Sequence, residues 1–162
     1  KKKIKKMCKG WIYLSQGYFS GRACPSTTIK ETYNFIKKAR DRQGHPLTMS
    51  YGALAEMFHH FPNEYQIFTV RDKEIIAALT VAIKINKNIL YNFYPADSHQ
   101  YKNFSPMVML VKGLLHHCVK NGLKLLDLGI STVNSKPNYG LINFKKNIGA
   151  DSSLKLTFRK EF

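Results

Sequence analysis

Residues 65–94 read YQIFTVRDKEIIAALTVAIKINKNILYNFY, and this stretch decides the fold of the chain. It contains three apolar runs, at residues 65–70, 74–85 and 89–94, which are separated by the short polar links RDK and NKN. A link of about three residues between two strands allows only an antiparallel hairpin. The stretch therefore predicts a three-stranded antiparallel meander.

The connection that follows the meander has a different character. A polar loop over residues 95–104 leads into an apolar segment of helical period, which begins at Ser105-Pro106 and ends at Asn121-Gly122. A buried-strand run follows at residues 123–128. A helix between two strands implies a right-handed crossover and parallel pairing, so one sheet should change from antiparallel to parallel.

The predicted fold is a mixed α/β domain built on this single sheet. We expect the strand at residues 123–128 to lie beside the one at 89–94, and a final strand at 154–162 to complete the sheet. Helices should cover both faces. Two helices precede the meander: the first opens with the capping box TIKE of residues 28–31, and the second begins near Ser50.

The start of the helix after the meander is a candidate anion site. Ser105 is the predicted N-cap, and Pro106 takes the first helical position, where its missing N–H costs nothing. The backbone amides that follow point out of the helix end, where the helix dipole favours negative charge. The residues expected to bind an anionic group of a co-substrate are Lys102, Ser105, Met107, Val108 and Met109.

Composition restricts the class of protein. The 162 residues, of which 44% are hydrophobic and 12% aromatic, suit one globular domain. No apolar run approaches the roughly 20 residues of a membrane span. The three cysteines, Cys8, Cys24 and Cys118, are scattered and match no zinc spacing. We therefore expect free thiols in a reducing cytoplasm and no metal site.

The chain is strongly basic throughout. Lysine and arginine total 26 against 10 acidic residues, which gives a net charge of +16. Six lysines lie in residues 1–9, and removing these six charges still leaves +10. Such a field concentrates polyanions, such as tRNA, phosphorylated cofactors or nucleotide-linked substrates. Solubility alone is an equally good explanation of the charge.

The domain boundary is predicted near residue 27. Residues 1–26 form a basic N-terminal segment that is broken by Ser20-Gly21 and Cys24-Pro25, and residues 27–162 form the folded domain. The chain opens on Lys1 rather than on methionine. From this we expect residues 1–26 to be the end of a missing upstream half, and the oligomeric state stays open.

Two charged residues stand out from their surroundings. Asp127 interrupts the apolar run LLDL of residues 125–128, and a carboxylate in a strand buried on both faces is costly unless it is paired. Lys145 lies in the helical segment of residues 140–149, where it and Lys146 point to different sides. Periodicity alone favours a structural ion pair or a surface lysine at these positions.

The combination of motifs resembles the Fem-type branch of the GNAT acyltransferase superfamily. The similar features are the meander, the helix at Ser105-Pro106, the motif LDLG at 126–129 and the motif FKKNIGA at 144–150, within about residues 30–162. The resemblance implies a GNAT-like acyl-CoA N-acyltransferase fold, equivalent to the C-terminal domain of the two in Fem-type proteins. Its third and fourth strands splay apart around the acyl donor.

The resemblance leaves the donor and the acceptor open. Fem-type members transfer an aminoacyl group from tRNA to the amine of a peptidoglycan precursor, and related members are acetyltransferases that use acetyl-CoA. Classical GNAT members carry a glycine-containing pyrophosphate loop ahead of the donor helix, whereas residues 97–104 contain no glycine. Close approach of the backbone to a pyrophosphate is therefore disfavoured. Neither co-substrate is expected to be bound tightly.

Two functional classes follow. In an N-acyltransferase, Lys145 matches the lysine that the family places near the reacting ester, and its charge would stabilise the oxyanion. The candidate proton acceptors are Tyr94, His99 and Asp127. The alternative is a non-catalytic basic module of the same fold that binds a polyanion such as tRNA or another nucleic acid.

The sequence also predicts that Lys145 and Asp127 face one cleft. Asp127 lies at the carboxyl end of its predicted strand, where α/β sheets place their chemistry. The short connection over residues 130–138 should bring the next helix back over that strand end. A buried carboxylate needs a cationic partner, and Lys145 is the nearest candidate.

Overall fold

The computed structural model describes residues 28–45, 47–133, 135–154 and 160. The predicted basic segment 1–26 lies outside the described residues, as does most of the predicted final strand at 154–162. The described chain falls into two compact units, divided after Gly129. Each unit is described by itself below.

The first unit contains the predicted mixed sheet. Strands β1 (Tyr65–Asp72), β2 (Ile75–Lys84) and β3 (Ile89–Asp97) form an antiparallel meander, and β4 (Leu125–Asp127) pairs with β3 in parallel. The order in the sheet is β1-β2-β3-β4. The predicted fold class and the parallel crossover are therefore confirmed, although β4 is shorter than the apolar run that predicted it.

The helices of the first unit begin where the sequence predicts. Helix α1 (Ile29–Arg42) opens with the complete capping box, in which the Thr28 hydroxyl accepts from the Glu31 amide at 3.1 Å and the Glu31 carboxylate accepts from the Thr28 amide at 2.8 Å. Helix α2 (Tyr51–His60) is capped by Ser50, and helix α3 (Pro106–Lys120) connects β3 to β4. A 3-10 helix, His99–Phe104, precedes α3.

Buried side chains cover both faces of the sheet. On one face, Leu110, Leu114 and Cys118 of α3 pack with Phe68 and with alanines of the meander. On the other face, Ile36 and Ala39 of α1 pack with a second set of strand residues. Because successive strand residues alternate between faces, β2 contributes to both clusters. The prediction that helices cover both faces is confirmed.

A β-bulge interrupts the pairing of β3 with β2. Val81 pairs with Tyr94 whereas Ala82 pairs with Asn92, so Phe93 is the extra residue. An extra residue bends its strand and breaks the alternation of side chains. The bulge therefore redirects β3 in the half of the strand that extends beyond β4.

The second unit is small and built around one helix. Strands β5 (Thr132–Val133) and β6 (Lys136–Pro137) form a short antiparallel pair, and helix α4 (Tyr139–Asn147) follows. The Asn138 side chain caps α4 by accepting from the Leu141 amide at 3.0 Å. Gly149 then adopts a φ of +94°, which suits its predicted role in ending the helix.

Among the described residues, no helix is long and apolar enough to cross a membrane.

Candidate active site

The site is built around the point where β3 and β4 part. Their parallel register pairs Ile89 with Leu125, Leu90 with Leu126 and Tyr91 with Asp127, and β4 ends there. Strand β3 continues to Asp97, paired only with β2 among the described residues. The backbone N–H and C=O groups on this edge of β3 can pair with an extended ligand, as an exposed strand edge does with a peptide.

The residues that end β4 form a tight turn against Tyr91. The Gly129 amide donates to Asp127 Oδ1 at 2.7 Å, which is an Asx-type turn. Gly129 has a φ of +75°, and a Cβ atom at this position would lie 3.4 Å from Tyr91 Cε2. Asp127 is half-buried, and its carboxylate accepts this hydrogen bond from the Gly129 amide. Its predicted pairing with Lys145 stays a prediction.

The aromatic residues of β3 do not follow the alternation expected of a central strand. Phe93 and Tyr94 are adjacent, yet both pack against the cluster covered by α1, and their ring centroids lie 4.0 Å apart. The bulge at Phe93 explains this, because it brings consecutive side chains to one face. Residues 93 and 94 therefore depart from the strict alternation of an unbroken strand.

The two other proton-acceptor candidates lie in different surroundings. Tyr94 is half-buried, and the Arg40 guanidinium lies 5.9 Å from its ring centroid. His99 is exposed at the start of the 3-10 helix. Tyr94 is held by core packing, whereas His99 is accessible to a substrate.

The predicted anion site at the start of α3 has a different local structure from the one expected. Ser105 is the N-cap residue and Pro106 the first helical residue, as predicted. However, Ser105 is left-handed, with φ 52° and ψ 54°, and in the described chain its side chain makes no capping hydrogen bond. Its carbonyl instead accepts from the Val108 amide at 3.0 Å. The Val108 amide is thus bonded within its own helix. The binding roles of Ser105, Met107, Val108, Met109 and the exposed Lys102 stay predictions.

The segment that leads into α3 is anchored by a residue that the sequence did not single out. The Tyr101 hydroxyl donates to Asp72 Oδ2 at 3.0 Å, and its ring packs on the buried cluster under α3. Burial raises the pKa of Tyr101, and the bond to Asp72 adds to the increase. The Ser98 amide also donates to the Ala77 carbonyl at 2.8 Å. The glycine-free segment is therefore a 3-10 helix fixed to the meander.

A buried polar pair lies beside the bulge. The Thr80 hydroxyl donates to Asn92 Oδ1 at 2.7 Å, and both residues are buried. Asn92 is the residue immediately before the bulge, so this bond ties β2 to β3 where their register shifts. The sequence signal for this pair is the same as for Asp127: a polar residue inside an apolar strand.

Lys145 is positioned by the second unit. It lies in the last turn of α4, is half-buried, and donates from Nζ to the Ile130 carbonyl at 2.9 Å. Lys146 is exposed, as expected for a neighbour on the other side of the helix. The ammonium group of Lys145 is therefore held at the backbone carbonyl of Ile130.

The described fold is a mixed α/β architecture in which one parallel strand pair follows an antiparallel meander. The family model described as "Acetyltransferase (GNAT) domain" matches residues 28–145, which is most of the chain. The chain therefore belongs to the GNAT acetyltransferase family, and is an enzyme of the N-acyltransferase class. Comparison with curated protein sequences finds no match.

Solved structures support the same fold. The aminoglycoside N-acetyltransferase AAC(6')-Iy in complex with CoA superposes with a TM-score of 0.64 at 8% identity, over 89% of this chain and 95% of that chain. The ribosomal-protein-S18-alanine N-acetyltransferase from Escherichia coli gives 0.64 at 16% identity, over 85% and 80%. A GNAT family acetyltransferase from Elizabethkingia anophelis with acetyl-CoA bound gives 0.55 at 11% identity, over 80% and 73%.

Proposed function

We propose that this protein transfers an acyl group, such as acetyl, from a CoA thioester to a primary amine. The observation that carries the proposal is the open edge of β3 beyond the Tyr91–Asp127 pair, next to the start of α3. Family membership over residues 28–145 supports the same chemistry. The CoA and acetyl-CoA complexes of structural neighbours support a CoA ester as donor.

The reaction requires few groups from the protein. The acceptor nitrogen attacks the thioester carbonyl, the new C–N bond forms, and the C–S bond breaks to release CoA as the thiol. The β3 edge would hold the amide groups of the donor's arm, and the start of α3 would hold its phosphates. Catalysis then depends on proximity, on stabilisation of the oxyanion and on removal of one proton from the amine.

We assign the oxyanion to Lys145. Its resemblance to the lysine of Fem-type enzymes and its fixed position in the last turn of α4 support this role. For the proton, His99 is favoured by its exposure. Tyr94 is less favoured because it is packed against the core, and Asp127 because its carboxylate closes the turn at Gly129.

A second donor, an aminoacyl-tRNA, is favoured by the segment before α3 and by the charge of the chain. The segment before α3 is a 3-10 helix without glycine, held by Tyr101 and Asp72, rather than a glycine-containing loop. This suits the Fem-type branch, because its members also lack that loop. Their acceptor is the amine of a peptidoglycan precursor. The basic surface of the chain also favours a polyanionic donor.

The test is a turnover assay on purified full-length chain with matched lysine variants. Release of CoA from acetyl-CoA would be followed with a panel of primary amines, and release of tRNA from aminoacyl-tRNA in parallel. Lys145→Met should lower kcat by about 10²- to 10³-fold, the effect of losing one oxyanion-stabilising group. Lys146→Met is the control, since it removes the same charge from an exposed neighbouring position.

The outcomes separate the functional classes. Turnover with acetyl-CoA that is lost in Lys145→Met alone supports the proposal, and turnover with aminoacyl-tRNA alone supports the second donor. Equal activity in both variants removes Lys145 from the mechanism. Binding of polyanions without turnover of either donor would favour the non-catalytic module instead.

A further inference from the structure

Four lysines lie at the end of the sheet where β3 begins. Lys84 ends β2, Lys87 lies in the turn between β2 and β3, Lys120 ends α3, and Lys124 immediately precedes β4. All four are exposed. We call this group, Lys84, Lys87, Lys120 and Lys124, the lysine edge.

Backbone and electrostatic contacts bring these segments together. The amides of Lys124 and Leu125 both donate to the Asn88 carbonyl, at 2.8 and 3.0 Å, so the segment before β4 lies against the β2–β3 turn. Burial lowers the pKa of His117, and the charges of Lys120 and Lys84 lower it further. The His117 imidazole thus interacts electrostatically with Lys120 of α3 and with Lys84 of β2, so these two lysines lie at the same end of the unit.

Within the described ranges, neither salt bridge involves a residue of the lysine edge. These salt bridges join Lys37 to Asp41 and Arg42 to Asp97. The neighbouring acidic residue is Glu64, whose backbone carbonyl accepts from the Lys84 amide at 2.8 Å. Four lysines that take part in neither of these salt bridges form a concentrated positive field.

We propose that the lysine edge docks this protein on the phosphate backbone of a nucleic-acid duplex. Lysine ammonium groups contact phosphates as point charges, and phosphate contacts carry no sequence information. Residues 84–88 and 119–125 contain no arginine and no aromatic residue, so the segments that carry the edge lack the planar side chains that stack on bases. The chemistry suits a duplex bound by its backbone, independently of sequence.

The arrangement of exposed aliphatic residues argues against a lipid surface. Leu125 is 52% exposed and Val119 is 81% exposed. Leu126 packs on the face of the sheet covered by α3, so its neighbour Leu125 points to the opposite face from the helix that carries Val119. A bilayer would require these side chains to lie in one plane.

Docking by this edge would leave the proposed active site accessible. Strand β3 runs from Ile89, beside the lysine edge, to Asp97, where the open strand edge and the start of α3 lie. The two sites therefore occupy opposite ends of one strand. Nucleic-acid binding and acyl transfer can be tested separately.

The experiment measures binding of a fluorescent RNA duplex of about 20 base pairs by anisotropy, from about 50 to about 200 mM salt. A DNA duplex and anionic phospholipid vesicles are measured alongside. The test variant replaces all four residues of the lysine edge by glutamine. The control replaces four other exposed lysines by glutamine and so removes the same charge: Lys30, Lys38, Lys73 and Lys112.

The test variant should bind the RNA duplex roughly 10²-fold more weakly at about 100 mM salt, and its salt slope should fall by about 3 to 4. The control should lose less than about threefold in affinity. Thermal unfolding of both variants should match that of the unmodified chain. Equal losses in test and control, absence of duplex binding by the unmodified chain, or edge-dependent binding to vesicles alone would each overturn the proposal.

Discussion

Strand β3 has two different neighbours. Its pairing with β2 runs from Leu90 to Asp97 and is interrupted only by the bulge, whereas its pairing with β4 is limited to Ile89–Tyr91. The pairing with β2 connects β3 to the core of the sheet both before and after the bulge. The β4 side leaves half of β3 with a free edge in the described chain, and that edge is where a GNAT donor would bind. Under the proposed function, β3 thus serves stability on its β2 side and donor binding on its β4 side.

The largest expected effect is on the free energy of unfolding. It tests whether β4 contributes as much to the stability of the fold as the meander does. Leu90 and Leu126 pair across β3 and β4, but Leu90 is fully buried while Leu126 is half-buried. Leu90→Ala should lower the free energy of unfolding by about 2–5 kcal/mol because it leaves a cavity in the core. Leu126→Ala should cost less than half as much in the same denaturant titration. Equal costs would mean that β4 is as integral to the core as the meander.

The turn that ends β4 provides the next comparison. Gly129 and Gly122 both adopt a left-handed backbone, with φ of +75° and +67°, but only Gly129 faces a neighbouring side chain, that of Tyr91, within 4 Å. A valine at either position should cost about 1–2 kcal/mol of backbone strain. Gly129→Val should cost measurably more, because its methyl groups would meet the Tyr91 ring. Thermal unfolding of the two variants measures the difference, and identical melting temperatures would contradict this packing.

Two substitutions of Asp127 distinguish a structural role of its carboxylate from a catalytic one. Asp127→Ala should lower stability by about 1 kcal/mol, because the Gly129 amide loses its acceptor. Asp127→Asn keeps an acceptor oxygen and should retain most of that stability. If asparagine also retains turnover, Asp127 acts through the turn. If asparagine retains stability but loses turnover, its charge takes part in the chemistry.

The smallest expected effect is a pH dependence at the far end of α3. The pKa of His117 is lowered in the folded chain, first by burial and then by Lys120 and Lys84, and its ring lies 4.9 Å from that of Phe68. An unfolded histidine titrates near about 6.5, so just below that pH the unfolded chain binds more protons than the folded one. Stability should therefore fall as the pH decreases through this window.

His117→Gln should flatten that decline in urea titrations between about pH 7 and pH 5. His116→Gln is the control, because His116 is the adjacent histidine in the chain and is exposed. A decline that persists in His117→Gln would assign the acid sensitivity to another group. The Asn121 side chain, which lies 3.3 Å from His117 Nδ1, also donates to the His117 backbone carbonyl at 2.7 Å, and neither substitution removes that carbonyl.

Local signals in the sequence were sufficient for the order of elements in the sheet. The short links fixed the meander, the TIKE box fixed the start of α1, and Asn121-Gly122 fixed the end of α3. These features act over a few residues. The limits of β4 were less predictable, because Leu123 is buried without being paired in the sheet. The hydrophobic pattern reports burial, whereas pairing depends on the partner strand.

The site was less accessible to sequence reasoning because its geometry depends on contacts between distant residues. The bulge at Phe93 arises from register with β2, and the 3-10 helix is fixed by Tyr101 reaching Asp72, which is 29 residues earlier in the chain. The left-handed Ser105 lies where the 3-10 helix ends and Pro106 begins α3. Neither periodicity nor spacing contains these constraints.

The most direct test of the account is a crystal structure of the chain with CoA. We expect the pantetheine arm to pair with the open edge of β3 beyond Tyr91, and the pyrophosphate to lie against the start of α3 near Met107 and Lys102. CoA bound at another surface, or no CoA density at saturating concentration in crystals whose α3 end is open to solvent, would contradict the proposed donor site.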